Sequence, residues 1–385
     1  MRKMLISKVP PGMTLGKALF SANGHVLLAD GAQLNAVYLK RLQALGFPAI
    51  LVKENFCNGL IYPEIVSDKT RIDSTVTIRY IFEEAKKYKR IDTGTVKSLV
   101  NQLVDEVLQN RKNLFEISDV RSFDSYIFAH CINVCILALR IGLLLDYNEL
   151  QLRDLGIGAV LHDIGMVFVD APVLEKLGKL TPAEFEKVKL HSMDGFNVLR
   201  DQKDINLLSA HVALQHHERF DGAGYPRQLK KAEICEFARV VAIADVFDAL
   251  TSENKYRKSF SQPVAIEILC KEVGKQVDPG LADLFLKNIA MYPTGSLVEL
   301  NSGEIGLVVS NIRPDTSRPI IRVLTDKNKR VPSSGVFPEV DLRSTGELTV
   351  TKLVEDDTIS VHIHKLFEMN PQYLNLGQAT AQITV

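Results

Sequence analysis

The chain has 385 residues, of which 46% are hydrophobic and 24% charged, as is usual for a globular protein of two or three domains. Its 46 basic and 46 acidic residues cancel, so the net charge gives no indication of a nucleic-acid polymer as a partner. Five scattered cysteines argue against a disulfide framework, and the N-terminus lacks the apolar core of a signal peptide, so we expect a cytoplasmic protein.

The first 66 residues predict a small α/β unit. Asn23-Gly24 between two apolar segments is typical of a β-hairpin. Asn35 is a good N-cap for an amphipathic helix that Gly46 would end in the left-handed conformation. The apolar run at residues 50–52 predicts a returning strand. Because these residues offer no catalytic chemistry, the unit is either a structural cap or a sensory or docking unit.

Residues 67–117 predict a helical scaffold. Apolar residues from Val96 to Leu108 recur at the 3-4 spacing of an amphipathic helix, which suits a scaffold role or a homodimer contact. A second, more apolar helix is predicted over residues 124–138. The uncharged run at residues 125–139 is shorter than the ~20 residues that a membrane span needs, so we expect no membrane span.

Chemistry-bearing residues concentrate between residues 161 and 245. Five of the nine histidines in the chain lie there, four of them in the candidate set with two carboxylates, and a sixth histidine lies just upstream. The ordered set is His130, His162, Asp163, His191, His216, His217 and Asp245. Each histidine alone is better explained as an ordinary core or surface residue. As a set, seven nitrogen and oxygen ligands are too many for one tetrahedral ion and suit a pair of ions.

The predicted helices place these ligands near element ends. His162-Asp163 follows a helix that begins near Glu149, and the Thr181-Pro182-Ala183-Glu184 capping box starts a helix that carries His191 about two turns later. His216-His217 ends the next helix before a glycine-rich loop at residues 221–226. Asp245 follows an apolar run on a mostly buried helix, where a lone carboxylate would be costly without a partner.

The surrounding sequences carry a family resemblance. Residues 159–166 read AVLHDIGM, residues 215–226 read QHHERFDGAGYP, and residues 237–257 read FARVVAIADVFDALTSENKYR. Together they resemble the HD-GYP family of metal-dependent cyclic di-GMP phosphodiesterases, a branch of the HD hydrolase superfamily. The match covers about residues 118–291. A bare His-Asp pair is a weak signal, whereas the three motifs in this order are specific.

The resemblance implies a mainly α fold with an HD-domain helical bundle as its core. We expect a small N-terminal α/β domain at residues 1–66, a helical linker at 67–117, the catalytic domain at 118–292 and a small C-terminal β domain at 293–385. Alternating apolar residues predict strands at 297–300, 305–309 and 320–324, with further strands at 347–354 and 359–363. The β domain would bind a partner or serve as a structural appendage.

The resemblance also assigns roles at the site. It implies that Asp163 and His162 are catalytic, with Asp163 bridging two ions, and that all seven residues of the set are metal ligands. Some family members hold a third ion through a Glu one turn before the first His, but Tyr126 stands there in this chain, so we expect two divalent ions. Iron or manganese is favoured, and zinc or nickel tolerates similar ligands.

Around the metal set, we assign substrate contacts to Arg257, Tyr225, Gly224 and Lys179. Glu218 and Asp221 are expected to orient histidine ligands. The glycine-rich loop at residues 221–226, which we call the GYP loop, is a candidate surface for a signalling-protein partner.

Two departures from the family pattern affect the expected function. Met166 stands where the family has Lys, and Asn254 stands where it has Arg, so two cations near the phosphate are lost. The leading prediction is hydrolysis of cyclic di-GMP to linear pGpG and then GMP. One alternative is the same chemistry on another cyclic dinucleotide, and another is a weakly active or inactive module that binds nucleotide or a partner.

Overall fold

The computed structural model describes residues 1–21, 23–115, 126–176, 178–252, 259–313, 315–332 and 336–354. Its α-helices within these residues are α1 (Ala36–Ala44), α2 (Asp68–Tyr88), α3 (Thr93–Gln109), α4 (Tyr126–Leu144), α5 (Glu149–Val160), α6 (Ala171–Leu174), α7 (Pro182–Arg200), α8 (Leu207–Gln215), α9 (Glu236–Thr251), α10 (Gln262–Glu272) and α11 (Pro279–Leu286). Its strands are β1 (Arg2–Leu5), β2 (Thr14–Leu15), β3 (Leu19–Phe20), β4 (Val26–Leu28), β5 (Ala49–Lys53), β6 (Leu297–Leu300), β7 (Ile305–Ser310), β8 (Ile320–Val323), β9 (Glu339–Asp341) and β10 (Val350–Leu353). The predicted mainly α architecture with small flanking units is confirmed.

Helix α4 is the centre of the helical core. It packs against α5 and α9, and all of its residues from 129 to 142 are buried. At 19 residues it is longer than the predicted apolar run, and by length and composition alone it could cross a membrane. However, 78% of its most apolar window is buried inside the fold. This burial is typical of a core helix, which brings residue 130 into the interior.

The N-terminal unit forms as the sequence predicts. Strands β1, β5 and β2 form an antiparallel sheet in that order, and β3 pairs with β4 as a hairpin. The Asn35 side chain accepts a hydrogen bond from the backbone N–H of Tyr38 at 2.8 Å and so begins α1. After α1, Gly46 takes a φ of +76°, which only glycine adopts without strain.

The C-terminal unit is a five-stranded antiparallel sheet in the order β10-β6-β7-β8-β9. The strands predicted near residues 297, 305, 320 and 350 are present, and β9 is an additional edge strand. The strand predicted at 359–363 lies outside the described residues.

The two flanking units touch each other. Phe56 and Cys57 pack in one hydrophobic cluster with Leu297 and Leu307 of the C-terminal sheet. Arg322 on β8 donates hydrogen bonds to the backbone carbonyl of Phe56 at 2.7 Å and to that of Asn58 at 2.9 Å. The segment at residues 56–58 is therefore packed against the C-terminal sheet. The predicted domain boundaries at residues 66, 117 and 292 stay predictions.

Candidate metal centre

Five segments of the helical core bring the seven predicted ligands together. The ligands form two adjacent groups, in each of which the ligand atoms lie within 4.8 Å of one another. One group is Asp163, His191, His216 and His217, and the other is His130, His162 and Asp245. His130 lies on α4, Asp245 on α9 and His191 on α7, whereas the remaining four follow the ends of α5 and α8.

Asp163 lies between the two groups. Its Oδ1 atom is 3.4 Å from His191 Nε2 and 3.6 Å from His216 Nε2. Its Oδ2 atom faces the other group and is 3.4 Å from His162 Nε2. A carboxylate whose two oxygens face different ligand groups has the geometry of a bridging ligand.

Asp245 has a similar intermediate position. Its Oδ1 atom is 3.1 Å from His130 Nε2, and its Oδ2 atom is 4.0 Å from His217 Nδ1. Each of the two carboxylates thus lies between histidines of the two ligand groups.

Backbone carbonyls orient three of the imidazole rings. His162 Nδ1 is 2.8 Å from the carbonyl oxygen of Ala159, and His191 Nδ1 is 2.6 Å from that of Val188. His216 Nδ1 is 3.0 Å from the carbonyl oxygen of Ala213. Each Nδ1–H therefore donates outward, which leaves the Nε2 lone pair directed at the centre. Two of these rings lie at helix C-termini, where carbonyls lack intrahelical partners and the helix dipole favours a cation.

One buried atom provides a test of whether these residues fit a metal. His162 is fully buried, and its Nε2 atom accepts or donates no well-formed hydrogen bond among the described residues, although Asp163 Oδ2 lies 3.4 Å away. A buried nitrogen without a partner is destabilising unless another group satisfies it. A divalent cation in the group formed by His130, His162 and Asp245 would satisfy it. The residues present therefore fit divalent metal binding.

Asp248 orients the fourth ring and is a residue that the sequence reasoning missed. Its Oδ2 atom is 2.7 Å from His130 Nδ1, and Asn133 Nδ2 donates to its Oδ1 at 2.9 Å. Asp248 is completely buried on α9, three residues after Asp245 and hence on the same helix face. That spacing was the available signal, because a second carboxylate one turn from a ligand is well placed to hold a neighbouring ligand ring.

The charges at the centre favour metal ligation. Burial opposes ionisation of Asp163, but the adjacent imidazoles of His162, His216 and His191 outweigh it and hold the pKa of Asp163 well below its usual range. The pKa of Asp245 is lowered in the same way, chiefly by His130. Burial lowers the pKa values of His191 and His217, with neighbouring imidazoles adding to the effect. At neutral pH the carboxylates are therefore ionised and these two histidines neutral.

Two other histidines behave differently, because carboxylates raise their pKa values. Burial lowers the pKa of His130, but the carboxylates of Asp245 and Asp248 outweigh this effect and raise it well above its usual value. The pKa of His162 is likewise raised, because the carboxylate of Asp163 outweighs its burial. Because a proton and a divalent cation compete for the same imidazole nitrogen, metal binding at this group would depend on pH.

The ligands are unevenly exposed, which indicates the open side of the centre. The side chains of His162 and His191 are at most 1% exposed, whereas that of His217 is 30% exposed. Tyr225 lies on this open side, with its ring centroid 4.8 Å from that of His217. The most exposed side of the centre is therefore the side at which His217 and Tyr225 lie.

Lys189 on α7 is a second residue that the sequence reasoning missed. Its Nζ lies 5.5 Å from the ring centroid of Tyr225 and 5.0 Å from that of Phe185. It also pairs with Glu186 at 2.7 Å, and its side chain is 28% exposed. The amphipathic pattern of α7 alone does not reveal it, because its proximity to Tyr225 depends on how the GYP loop returns to α7.

The carboxylates of Glu218 and Asp221 bind groups of the loop in which they lie. Glu218 accepts hydrogen bonds from the backbone N–H groups of Arg227 at 2.7 Å and Leu229 at 3.0 Å. Asp221 pairs with Arg219 at 3.1 Å and accepts from the backbone of Ala223 at 2.9 Å. These contacts differ from the predicted role of orienting histidine rings, because both carboxylates are taken up by loop donors.

Two glycines allow the segments of the site to approach closely. A Cβ atom on Gly224 would lie 2.6 Å from the carbonyl oxygen of His217, so this glycine fits the loop against a ligand residue. A Cβ atom on Gly165 would lie 1.9 Å from the carbonyl oxygen of His191. Gly165 thus lets the 3-10 helix Ile164–Phe168, which follows the His-Asp pair, pack directly on α7.

The remaining predicted residues are placed as follows. Lys179 is exposed in the segment that precedes α7, and Met166 is half-buried in the 3-10 helix after Asp163. Tyr126 stacks on His130, with ring centroids 5.7 Å apart and planes 7° apart. Arg257 and Asn254 lie outside the described residues. Of the four predicted substrate contacts, the structure therefore brings Tyr225 and Gly224 to the ligands.

Comparison with known proteins agrees with this arrangement. Residues 102–281 match the HD domain family, and residues 297–362 match a KOW domain associated with HD domains. The chain is 34% identical over 269 residues to a Pseudomonas aeruginosa protein named cyclic di-GMP phosphodiesterase PA4108, an alignment that covers 69% of this chain and 64% of the relative.

Two further relatives align over a smaller share of both chains. A Thermotoga maritima cyclic di-GMP phosphodiesterase is 35% identical over 198 residues, which cover 50% of this chain and 52% of the relative. A Vibrio cholerae protein named 3'3'-cGAMP-specific phosphodiesterase 1 is 32% identical over 197 residues, which cover 51% of this chain and 45% of the relative. The chain thus spans roughly half to just under two thirds of the length of these relatives.

Proposed function

We propose that the chain is a metal-dependent phosphodiesterase that hydrolyses cyclic di-GMP to linear pGpG and onward to GMP, because residues 102–281 match the HD domain family and the three motifs around the ligands resemble the HD-GYP family. The observation that carries the proposal is the convergence of seven ligand residues in two groups that share Asp163 as an intermediate carboxylate. The relatives that bear this activity in their names support the same substrate class.

The proposed cofactor is a pair of divalent ions, with iron or manganese favoured and zinc or nickel also compatible with nitrogen and oxygen ligands. Such a pair, about 3.5–4 Å apart, lowers the pKa of bound water and neutralises charge on a phosphate during in-line displacement. Asp163 would hold both ions, with His130, His162 and Asp245 completing one site and His191, His216 and His217 the other. Tyr126 offers a neutral phenol stacked on His130 instead of a carboxylate, which supports two ions over three.

The residues on the open side would bind the dinucleotide. Tyr225 presents a ring beside His217 on which a purine base can stack, and Lys189 places an ammonium group near the same ring. Arg257, at the second phosphate-binding position of the family motif, is proposed as the other cation. The hydrolysis adds water across one P–O3′ bond, so the proton of the water ends on the departing 3′ oxygen.

A second candidate substrate is another cyclic dinucleotide, above all 3'3'-cGAMP. It is favoured by the loss of the lysine at position 166 and by the 32% identity with a relative named for that substrate. The cytoplasm is the proposed location, because cyclic dinucleotides are made and read there. A signalling partner at the GYP loop and a homodimer stay predictions.

The test is anaerobic purification, metal analysis and incubation with cyclic di-GMP and with 3'3'-cGAMP, followed by separation of the products. We expect about two ions per chain and linear dinucleotide from cyclic di-GMP. Faster turnover of 3'3'-cGAMP would establish the second candidate instead. Full metal loading with nucleotide binding and no hydrolysis of either compound would leave only the binding module, and a chain without metal would contradict the enzyme.

A further inference from the structure

A pair of helix faces meets beside the metal centre. On α4, His130 and Asn133 are three residues apart, and on α9, Asp245 and Asp248 are three residues apart, so each pair lies on one face of its helix. The faces meet in register. Asp248 contacts His130 Nδ1 at 2.7 Å and accepts from Asn133 Nδ2 at 2.9 Å. Both Asn133 and Asp248 are buried, with 2% and 0% of their surface exposed.

A third helix extends this contact. Arg71 on α2 donates a hydrogen bond from its Nη1 atom to Oδ1 of Asn133 at 2.6 Å. Arg71 is half-buried and shares the inner face of α2 with Ser74 and Ile78, which are three and seven residues further along and buried. Helix α2 lies outside residues 102–281, the part of the chain that matches the HD domain. A cation from outside that match is therefore linked to a ligand ring by three hydrogen bonds through two intervening side chains.

The chemistry of these groups fixes the direction of every hydrogen bond. A guanidinium group only donates, so the oxygen of the Asn133 amide must face Arg71. The amide nitrogen then faces Asp248, whose carboxylate only accepts. The second oxygen of Asp248 accepts from the Nδ1–H of His130, which leaves the Nε2 atom of His130 as the metal-facing lone pair. Arg71 thus sets the polarity of a chain of donors that ends at a ligand atom.

We propose that Arg71 is a positioning residue of the metal centre, which holds His130 in its ligating tautomer and orientation through Asn133 and Asp248. The proposal rests on the proposed function, since it assumes that His130 binds an ion. It makes α2 a part of the active site. Without Arg71, the Asn133 amide loses a donor that fixes which of its ends faces Asp248, which would weaken the hydrogen bond that stabilises this buried carboxylate.

The same helix is in contact with the N-terminal unit. Arg79 donates to Oδ1 of Asn23 at 3.3 Å and lies 5.0 Å from the ring centroid of Phe128. Arg79 therefore provides a matched control: it is an arginine on α2, about two turns from Arg71, that contacts α4 away from the Asn133–Asp248 chain.

The test is Mn²⁺ titration of the full chain, followed by electron paramagnetic resonance to count free ions and detect coupled pairs. The variants are Arg71→Met, Arg71→Lys and Arg79→Met, each checked by thermal melting. We expect Arg71→Met to weaken binding of one of two ions by about 10–100-fold, the range for residues that orient ligands. Arg71→Lys, which keeps the charge and a donor, should recover part of the loss, and Arg79→Met should bind both ions as the wild type does.

A double variant separates positioning from general stability. Arg71→Met combined with Asp248→Asn should bind Mn²⁺ no more weakly than Asp248→Asn alone, because both changes break the same chain. Additive losses, wild-type affinity in Arg71→Met, or equal losses in Arg71→Met and Arg79→Met would each overturn the inference while the wild type still binds two ions. A wild-type chain that binds no metal would overturn the proposed function first, and this inference with it.

Discussion

The histidines of the metal centre are held in two different ways. His162, His191 and His216 each donate from Nδ1 to a carbonyl three residues earlier in the chain, so their orientation depends on local backbone. His130 is held by Asp248, which lies 118 residues away, and by the groups behind it. We call the three carbonyl groups the backbone anchors and Asp248 the long-range anchor. A backbone anchor cannot be removed by changing a side chain, whereas the long-range anchor of His130 can. The two kinds of ligand should therefore respond differently to mutation.

The largest effect is expected where both groups of ligands meet. Asp163→Ala removes the carboxylate between them, so we expect hydrolysis to fall below detection and bound metal to drop below one ion per chain. Product separation and elemental analysis measure both. Asp201→Ala, an exposed aspartate beyond the end of α7, is the control. Wild-type turnover in Asp163→Ala would show that this residue does not bridge.

The second prediction tests the long-range anchor directly. Asp248→Asn keeps the shape of the side chain but removes its charge, so His130 loses its anionic partner while the three backbone anchors stay. We expect about a 10–100-fold loss of metal affinity or of kcat/KM. Titration with Mn²⁺ and steady-state kinetics give the two values. Asp283→Asn, which changes an exposed carboxylate on α11, should match the wild type; equal behaviour of both variants would remove the distinction between the two anchors.

The third prediction tests a locally anchored ligand through its backbone. In Gly165→Ala the new methyl group would overlap the carbonyl oxygen of His191, so α7 must shift and carry its ligand with it. We expect a loss of about 1–3 kcal/mol in the free energy of unfolding, with weaker metal binding. Gly280→Ala is the control, since its added Cβ meets an ordinary contact at 3.5 Å. Denaturant unfolding of both variants measures the midpoints. An unchanged midpoint in Gly165→Ala would contradict the close approach of Gly165 to the carbonyl oxygen of His191.

The fourth prediction changes substrate binding without touching either anchor. Lys189→Gln removes the ammonium group beside Tyr225 and leaves His191, two residues later on α7, in place. If the contact is made equally to the bound substrate and the transition state, KM rises by about tenfold and kcat stays the same. Metal content should not change. A fall in kcat at constant KM would assign Lys189 a role only in the transition state.

The smallest effect concerns the capping box that begins α7. A hydrogen bond from Lys176, with further bonds from Thr181, lowers the pKa of Glu184 from 4.5 to about 2. Because the folded pKa is below the unfolded one, this contribution to stability is present above about pH 4.5 and is lost as the pH falls towards 2. Glu184→Gln should therefore lower the melting temperature slightly at neutral pH, by an amount that shrinks on acidification. A pH-independent difference would show that charge has no part in the cap.

Much of the local structure was predictable because it depends on residues a few positions apart. Asn35 caps α1, and Thr181 and Glu184 form the reciprocal bonds that begin α7, as their spacing predicted. The same holds for the order and type of the ligands, since metals of this class select imidazole and carboxylate groups. The C-terminal strands were also predicted from alternation, apart from β9, whose short edge segment has no clear apolar pattern.

The tertiary structure alone decided which side chains support the ligands. Asn133 and Asp248 are 115 residues apart, and Arg71 and Asn133 are 62 apart, so no local spacing relates them. Lys189 likewise lies near Tyr225 only because the loop after α8 folds back onto α7. Hydrogen-bond chains between helices depend on crossing geometry and on which faces are buried together. The sequence by itself therefore predicted the candidate ligands and the ends of the helices that carry them, and packing determined how each of these side chains is held.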